Sequence, residues 1–266
     1  MKPLIMITND DGVFSPGLAA AARAALKFGD ILVAAPITQQ TAMGRAFPRT
    51  DDLGIIEEID LDISSDPADK PLMIHAYGVH ASPGYVAAYG IAEIGPRLGR
   101  RPDLAISGIN YGANLGASIT CSGTIGAALE STSLGVPTLA MSLETDASIT
   151  RSANYESLNF ESAERSTEYW LDRILKYGMP RDCHILNVNV PYRKISPNEY
   201  KFTFMEMNNY YEIVAPRADR DWSTPCPMYY DIQTEKQELQ EGSDVYVVCR
   251  EQLTSVTPMT MDMTKY

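Results

Sequence analysis

Cysteine and histidine are scarce in this chain of 266 residues, and their spacing excludes the familiar metal and disulfide frameworks. The four cysteines include no CxxC pair, and the three histidines have no ligand-like spacing. Neither a zinc site nor a disulfide framework is therefore indicated. We expect reduced thiols, as in a cytoplasm. The residues concerned are Cys121, Cys183, Cys226, Cys249, His75, His80 and His184.

Long apolar runs and an excess of positive charge are also missing. The early apolar run covers only residues 4–7, too short for a signal peptide, and no stretch reaches transmembrane length. The net charge is −12 and the isoelectric point is near 4.7, which disfavours nucleic-acid polymers and anionic membranes as partners. We therefore expect a cytoplasmic protein. A small phosphorylated ligand is not excluded, because local amides and a metal ion can override the global charge.

The chain is organised around the segment LIMITNDDG at residues 4–12, where an apolar strand ends in two adjacent carboxylates. Asp10 and Asp11 repel each other, and a bound cation would remove that repulsion. Oxygen ligands of this kind suit Mg²⁺ or Mn²⁺. A solvated Asp-Gly turn between strand and helix is the alternative interpretation, and it is a common one.

Apolar runs that alternate with helical segments predict the fold class. Ser15 and Pro16 start a helix and Gly29 stops it, so the first 35 residues read as strand, helix, strand. This βαβ pattern continues to residue 191 and predicts an α/β fold with a doubly wound, mostly parallel sheet. Further strands are predicted at 31–35, 72–77, 104–107, 137–142 and 184–191, and further helices at 82–94, 125–133 and 160–177. Residues 46–76 show a less regular pattern, in which only the strand at 72–77 is predicted, and 143–158 are predicted as a polar loop.

Three polar segments are expected near the carboxyl-terminal edge of this sheet, where open α/β sheets place their sites. The loop at 37–45 carries Thr41, whose hydroxyl could reach an ion or merely stabilise a turn. The loop at 108–116 contains three glycines, so its backbone must turn sharply or approach a ligand. Ser122, Gly123 and Thr124 then begin a helix. This start suits an anion, because free amides and the helix dipole favour negative charge, but it equally suits a plain N-cap.

Composition changes after Pro191. Alternating stretches at 200–204 and 228–231 predict antiparallel hairpins, a short helix begins at 242–244, and 253–258 form a strand. The tyrosine pairs at 210–211 and 229–230 suit strand packing or an aromatic interface. Because this segment is too short for its own core, we expect it to pack across a twofold axis. The predicted organisation is a Rossmann-like core at 1–191 with a C-terminal hairpin and strand-exchange extension at 192–266, in a homodimer or homotetramer.

Six motifs follow one another along the chain. They are NDDG at 9–12 with SPG at 15–17, AP at 35–36, SGINYG at 107–112, SGT at 122–124, NVNVP at 187–191 and SVTP at 255–258. In this order and spacing they resemble the SurE survival-protein phosphatases over nearly the whole chain. The resemblance implies a Rossmann-like core and a metal-dependent phosphohydrolase. Its substrates would be nucleoside 5′-monophosphates, with 3′-monophosphates as further candidates.

The resemblance also implies a site for one divalent cation per subunit, Mg²⁺ or Mn²⁺. The implied metal ligands are Asp10, Asp11, Thr41 and Asn110. The implied phosphate seat is Asn9, Ser122, Gly123 and Thr124. A serine usually stands where this chain has Thr41, a change that keeps the hydroxyl.

Other departures from the family pattern lie around this centre and bear on substrate preference and rate. Cys121 replaces the usual His or Tyr before SGT, Arg45 replaces a His, and Ser82 stands in a stretch that lacks its usual acid. The polar stretch between residues 141 and 154 is longer than usual. None of these changes removes an implied metal ligand.

Several mechanisms and functions stay open at the level of sequence. We expect Asp10 and Asp11 to be catalytic through water that the metal activates, while direct attack by one aspartate is the alternative. The departures raise a second possibility, a non-catalytic nucleotide- or phosphate-binding protein that keeps the metal and phosphate seat. A metal-dependent glycosyl or nucleotidyl transferase is a third, although the chain has no recognisable donor-sugar domain.

Overall fold

The computed structural model describes residues 2–65, 70–145, 158–226, 228–262 and 264, so most of the predicted loop at 143–158 lies outside the described residues. The helices are α1 (Pro16–Leu26), α2 (Pro83–Tyr89), α3 (Gly95–Arg97), α4 (Gly123–Ser133), α5 (Glu161–Tyr177) and α6 (Asp244–Cys249). A π-helical turn (Gly90–Ile94) joins α2 to α3, and 3₁₀ turns occupy Ala117–Cys121 and Thr234–Lys236. The strands are β1 (Leu4–Thr8), β2 (Asp30–Pro36), β3 (Ile56–Asp62), β4 (Met73–Val79), β5 (Leu104–Tyr111), β6 (Thr138–Leu143), β7 (Ile185–Val190), β8 (Tyr200–Phe202), β9 (Tyr211–Val214), β10 (Tyr229–Ile232) and β11 (Thr254–Met259).

Nine strands of the described residues form one sheet in the order β3-β4-β2-β1-β5-β6-β7-β11-β8. The strands from β4 to β7 in this order are parallel, while β3 and β11 run antiparallel to β4 and β7. The chain moves outward from β1 to β2 and β4, and then continues on the other side of β1 with β5. The carboxyl ends of β1 and β5 therefore flank a switch point, where sheets of this kind bind ligands. The predicted doubly wound, mostly parallel sheet is confirmed.

Helices cover both faces of the sheet. α1 packs against α5 on one face, and α2 packs against α4 on the other. Successive residues of β1 serve both cores, since Ile5 and Ile7 lie in the cluster that includes α1 while Met6 lies in the cluster that includes α2. β1 is therefore buried on both sides, as its continuous apolar run predicts. No helix among the described residues is long and apolar enough to cross a membrane.

Helix α1 begins where the sequence predicts it. The hydroxyl of Ser15 accepts the N–H of Leu18 at 3.3 Å, and Pro16 occupies the first turn. Gly17 lies against the carbonyl of Ile109, where any Cβ would overlap the oxygen. This close approach fixes α1, and with it the preceding loop, against β5.

The C-terminal segment pairs its strands differently from the prediction. β11 pairs antiparallel with β7 of the same chain, and β8 pairs parallel with β11. The strand at 253–258 thus pairs within its own sheet in the single chain, and its exchange across a twofold axis stays a prediction. Residues 200–204 form no hairpin, whereas β9 and β10 form an antiparallel ribbon that includes the stretch predicted at 228–231.

Candidate active site

The aspartate pair follows β1 and is almost fully buried, with 5% of Asp10 and 9% of Asp11 exposed. Burial raises the pKa of Asp10 to about 6, although hydrogen bonds from Thr124 and Gly123 oppose the shift. Burial and then the charge of Asp10 raise the pKa of Asp11 well above its usual range. The site therefore disfavours two negative charges unless a positive charge joins them.

The donor set at this pair fits a divalent cation. Within the described part of the chain, Oδ2 of Asp11 is buried without a hydrogen-bond partner, and the charge of Asp10 beside it further raises the pKa of Asp11. The described residues also hold no cluster of three or more His, Cys, Asp or Glu side chains suited to a metal. A cation here would therefore be held by two carboxylates and neutral oxygens, which suits Mg²⁺ or Mn²⁺.

The start of α4 contacts Asp10 directly. The hydroxyl of Thr124 donates to Oδ1 of Asp10 at 2.7 Å, and the backbone N–H of Gly123 also donates to this carboxylate. A Cβ on Gly123 would lie 2.6 Å from Cβ and 2.7 Å from Oδ2 of Asp10, so only glycine fits there without displacing the aspartate. Ser107 in turn anchors this end of the helix by donating to the carbonyl of Thr124 at 2.7 Å.

The donors predicted to seat a phosphate thus already hold a carboxylate, and Ser122 has a local role. Its hydroxyl caps α4 by accepting the N–H of Ile125 at 3.1 Å. The N-cap interpretation is therefore what the structure shows for this side chain. Contact between a phosphate and the backbone at Ser122, Gly123 and Thr124 stays a prediction.

Asn9 holds the turn that presents the aspartates. Its side-chain oxygen accepts the N–H of Gly12 at 3.2 Å, and its amide nitrogen donates to the Gly12 carbonyl at 3.1 Å and to the Ser15 hydroxyl at 2.7 Å. Gly12 has a φ of +101°, which this tight turn requires. Both amide hydrogens of the fully buried Asn9 are engaged, so the geometry gives it a positioning role, and the phosphate contact predicted for it stays a prediction.

Thr41 lies on a loop that adjoins the pair, and Asn110 lies near the end of β5. The N–H of Gln40 donates to the backbone carbonyl of Asp10 at 2.7 Å and ties the 37–45 loop to the site. Thr41 is exposed, and its hydroxyl accepts from Gln39 at 2.7 Å. Asn110 lies one residue before the end of β5, and its amide nitrogen donates to the Gly112 carbonyl at 2.7 Å, which leaves its oxygen as the atom suited to a cation. The structure brings both residues to the predicted edge, and their ligand role remains a prediction.

Two of the departures from the family pattern have structural partners. Arg45 pairs with the buried Glu130 of α4 at 2.6 Å and donates to the Ser133 hydroxyl at 3.0 Å. Ser82 caps α2 and donates to the carbonyl of Ala46 at 2.6 Å. Both therefore tie the 37–47 region to the helices on one face of the sheet. Cys121 is exposed beside Ser122, and its thiol donates to the Ser118 carbonyl at 3.2 Å.

A buried polar network supports the loop at residues 108–116, which contains three glycines and is called the glycine loop. The sequence interpretation missed this network. Asn189 accepts the backbone N–H of Asn114 at 2.7 Å, and Asn187 donates to the backbone carbonyl of Asn114 at 3.0 Å. Asn114 also donates to the Ser142 hydroxyl at 2.8 Å. Two asparagines on one face of an otherwise apolar strand were the available signal. They fix the loop that follows Asn110.

Comparison with known proteins decides the family. The model of the family "Survival protein SurE" matches residues 5–212. This chain belongs to the SurE family. It is 33% identical over 260 residues to the 5′-nucleotidase SurE of Thermococcus kodakarensis, covering 98% of this chain and 93% of that relative. It is 35% identical over 271 residues to the 5′-nucleotidase SurE of Methanoculleus marisnigri, covering 100% and 94%.

A solved SurE structure agrees with this membership. The SurE protein from Aquifex aeolicus superposes with a TM-score of 0.73 at 27% sequence identity, covering 99% of this chain and 96% of the other. The likeness therefore includes the C-terminal segment as well as the sheet. The SurE family resemblance expected from the motifs is confirmed.

Proposed function

We propose that this SurE chain is a divalent-metal-dependent phosphohydrolase that releases phosphate from nucleoside 5′-monophosphates. The observation that carries the proposal is the buried aspartate pair, in which Oδ2 of Asp11 has no partner among the described residues and burial opposes both negative charges. The names of the relatives, 5′-nucleotidases, support the reaction class. Nucleoside 3′-monophosphates are a second substrate class to test.

Four oxygen donors are proposed to hold one Mg²⁺ or Mn²⁺ ion per subunit. They are Asp10, Asp11, the Thr41 hydroxyl and the Asn110 carbonyl oxygen. A bound divalent cation would neutralise the phosphoryl oxygens and lower the pKa of a water molecule. Water is our proposed nucleophile, since Asp10 is anchored by Thr124 and Asp11 is assigned to the cation.

Other residues of the site are proposed to orient Asp10 and to bind the phosphoryl group. Thr124 and Gly123 orient Asp10, and Asn9 fixes the turn before it. Backbone amides at the start of α4 are proposed to bind phosphoryl oxygens, because they lie at the positive end of the helix dipole. Burial at the edge of the sheet keeps the surroundings of low polarity, which strengthens each of these interactions.

Assembly and compartment are part of the same proposal. We infer a homodimer or homotetramer, because the β9–β10 ribbon exposes apolar side chains, with Ile213 63% and Tyr230 56% accessible. The cysteines form no disulfide within the described residues, which fits a reducing cytoplasm. The charge of −12 argues against nucleic-acid polymers and membranes as partners.

A phosphate-release assay tests the proposed activity. Nucleoside 5′- and 3′-monophosphates are incubated with the protein and Mn²⁺, Mg²⁺ or a chelator, and inorganic phosphate is measured. We expect release with metal and little without. Binding of a nucleotide without any release would support the non-catalytic alternative, and release that a chelator leaves unchanged would contradict the metal site.

A further inference from the structure

The C-terminal segment contains two carboxylates that are 1% exposed, Glu206 and Asp244. Asp244 stands at the start of α6, far along the chain from the aspartate pair. Its Oδ1 accepts the N–H groups of Glu206 and Val245, each at 2.8 Å. Its Oδ2 accepts the N–H of Gly116 at 3.0 Å. One buried charge therefore joins the C-terminal segment to the glycine loop.

Glu206 is a buried carboxylate like Asp244, but among the described residues its side chain accepts hydrogen bonds only from within the C-terminal segment. Its carboxylate accepts N–H groups from Met207 at 2.9 Å, Asn208 at 3.4 Å and Gln240 at 2.8 Å. All three partners belong to the C-terminal segment. Glu206 thus stabilises that segment internally, while the side chain of Asp244 reaches out of it.

Further contacts hold the same short stretch of the glycine loop. The N–H of Ala117 donates to the Asn208 carbonyl at 3.1 Å, and the hydroxyl of Ser118 accepts the N–H of Tyr211 at 3.1 Å. Gly116 has no room for a side chain, since a Cβ there would lie 2.5 Å from the Asn208 oxygen. The clamp, which we define as Asp244 with these backbone contacts to residues 116–118, fixes both ends of a three-residue stretch.

The clamped stretch leads directly into the candidate phosphate seat. The 3₁₀ turn Ala117–Cys121 runs into Ser122, the N-cap of α4, and Thr124 two residues later donates to Asp10 at 2.7 Å. Because the turn is short and regular, a shift of Gly116 moves the chain just before Ser122. Misplacement of a binding group by about 1 Å is enough to weaken binding and catalysis strongly.

We propose that Asp244 is a positioning residue for phosphate binding in this protein, acting through Gly116 and the 3₁₀ turn on the start of α4. This inference rests on the proposed function. It makes the C-terminal segment part of the phosphate site, because the contact that fixes the seat comes from a residue beyond the predicted core at 1–191.

The decisive variant is Asp244→Asn, with Glu206→Gln as its matched control. Asparagine can keep one oxygen toward Glu206 and Val245, but it then points a donor at the N–H of Gly116. Glutamine at 206 makes the same chemical change in the same segment and leaves the bond to Gly116 intact. Inorganic phosphate is titrated into the Mn²⁺-loaded proteins by calorimetry, and KM and kcat for a nucleoside 5′-monophosphate are measured alongside.

We expect Asp244→Asn to weaken phosphate binding and raise KM by about tenfold, the equivalent of ~1.4 kcal/mol, with a smaller change in kcat. Glu206→Gln, which affects the clamp only indirectly through Asn208, should weaken phosphate binding clearly less than Asp244→Asn does. Equal phosphate affinity in both variants and wild type would overturn the inference. If Asp244→Asn does not fold, the phosphate affinity of Ser118→Ala is measured instead, because this change removes the hydrogen bond from Tyr211 that holds the same stretch. A weaker affinity would support the inference, and an unchanged affinity would overturn it.

The calorimetric readout separates this inference from the proposed function. A wild-type protein that binds phosphate but releases none from nucleotides contradicts only the proposed function, and the comparison of Asp244→Asn with Glu206→Gln still stands. A wild-type protein that releases phosphate, together with an Asp244→Asn variant of unchanged phosphate affinity, contradicts only the positioning role. A wild-type protein that does neither contradicts both.

Discussion

At the scale of single residues, the stability of the metal-free protein should depend on the charge of the aspartate pair. A carboxyl group whose pKa is raised in the folded state destabilises the fold once pH exceeds its unfolded value. For Asp10 this penalty develops between the usual value of 3.8 and about 6, and for Asp11 it extends higher. We predict that, with a chelator, the melting temperature rises by several degrees when the pH falls from 7 to 5.

Asp10→Asn isolates the contribution of the pair from that of the other carboxyl groups. The change removes one buried charge while its oxygen can still accept from Thr124. The gain in melting temperature between pH 7 and pH 5 should therefore shrink in the variant, and the metal-free variant should be at least as stable as wild type at pH 7. An identical pH response in the two proteins would show that the pair carries no such penalty.

Arg45 should be structural, although it replaces a residue that is usual in the family. Its loss leaves Glu130 buried without its ion pair, at 7% exposure. We predict that Arg45→Ala lowers the free energy of unfolding by about 1–2 kcal/mol, a value reduced for the partial exposure of Arg45. Urea denaturation measures this, with Arg97→Ala as an exposed ion-pair control. A large fall in kcat at unchanged stability would instead make Arg45 a substrate contact.

Single residues also show which features of the site could be predicted from the sequence and which could not. The adjacency of Asp10 and Asp11 and the position of Thr124 could be predicted, because strand ends in parallel sheets meet at one edge. The hydrogen bond from Thr124 to Asp10 spans 114 positions and could not be. The phosphate contact of Asn9 stays a prediction, and the two hydrogen bonds that its amide makes within its own turn are seen only in the folded loop.

At the scale of elements, the start of α1 should be coupled to the site. The hydroxyl of Ser15 accepts both the Leu18 N–H and the side-chain amide of Asn9. We predict that Ser15→Ala lowers the free energy of unfolding by about 1–2 kcal/mol and also lowers turnover. Ser82→Ala is the matched control, since Ser82 likewise caps a helix and makes one further hydrogen bond, to Ala46. Turnover that falls equally in both variants would refute a specific link through Asn9.

Elements with strong patterns were predictable, and weakly patterned ones were not. Except for β3, the strand and helix order from β1 to β7 follows from apolar runs, serine caps and proline starts, and α5 matches the predicted 160–177 within one residue. β3 was missed because it is an exposed edge strand rich in acidic residues, whose apolar alternation is faint. β5 was predicted to end at residue 107, but it continues to Tyr111 past an irregularity in register after Ser107.

At the scale of the whole molecule, the β9–β10 ribbon should mediate self-association. Ile213 and Tyr230 are more than half exposed, and Trp222 in the connection between the strands is 86% exposed. Apolar groups grouped on one projection are typical of an interface. We predict that light scattering gives at least a dimer at micromolar concentration and that Ile213→Lys lowers the mass. Leu98→Lys, at an exposed position away from the ribbon, is the control. A monomeric wild type would contradict the prediction.

The pairing of β11 could not be predicted from the sequence. The alternating residues at 253–258 suit any free strand edge, whether in the same chain or in a partner. In the structure the edge of β7 is available within the chain, and β11 occupies it. We expect self-association to use surfaces that are exposed in the single chain, such as the ribbon, and exchange of this strand stays a prediction.

The central claim is that Asp10 and Asp11 bind a divalent metal ion that is required for phosphate release. The most direct test measures phosphate release from a nucleoside 5′-monophosphate against Mn²⁺ concentration in wild type, Asp10→Asn and the exposed control Asp60→Asn. Changes outside the ligand shell already cost about 10–100-fold in metal affinity or activity, so loss of a ligand should cost at least about 100-fold. We predict this loss for Asp10→Asn and near-normal turnover for Asp60→Asn. Near-normal turnover and Mn²⁺ dependence in Asp10→Asn would contradict the account.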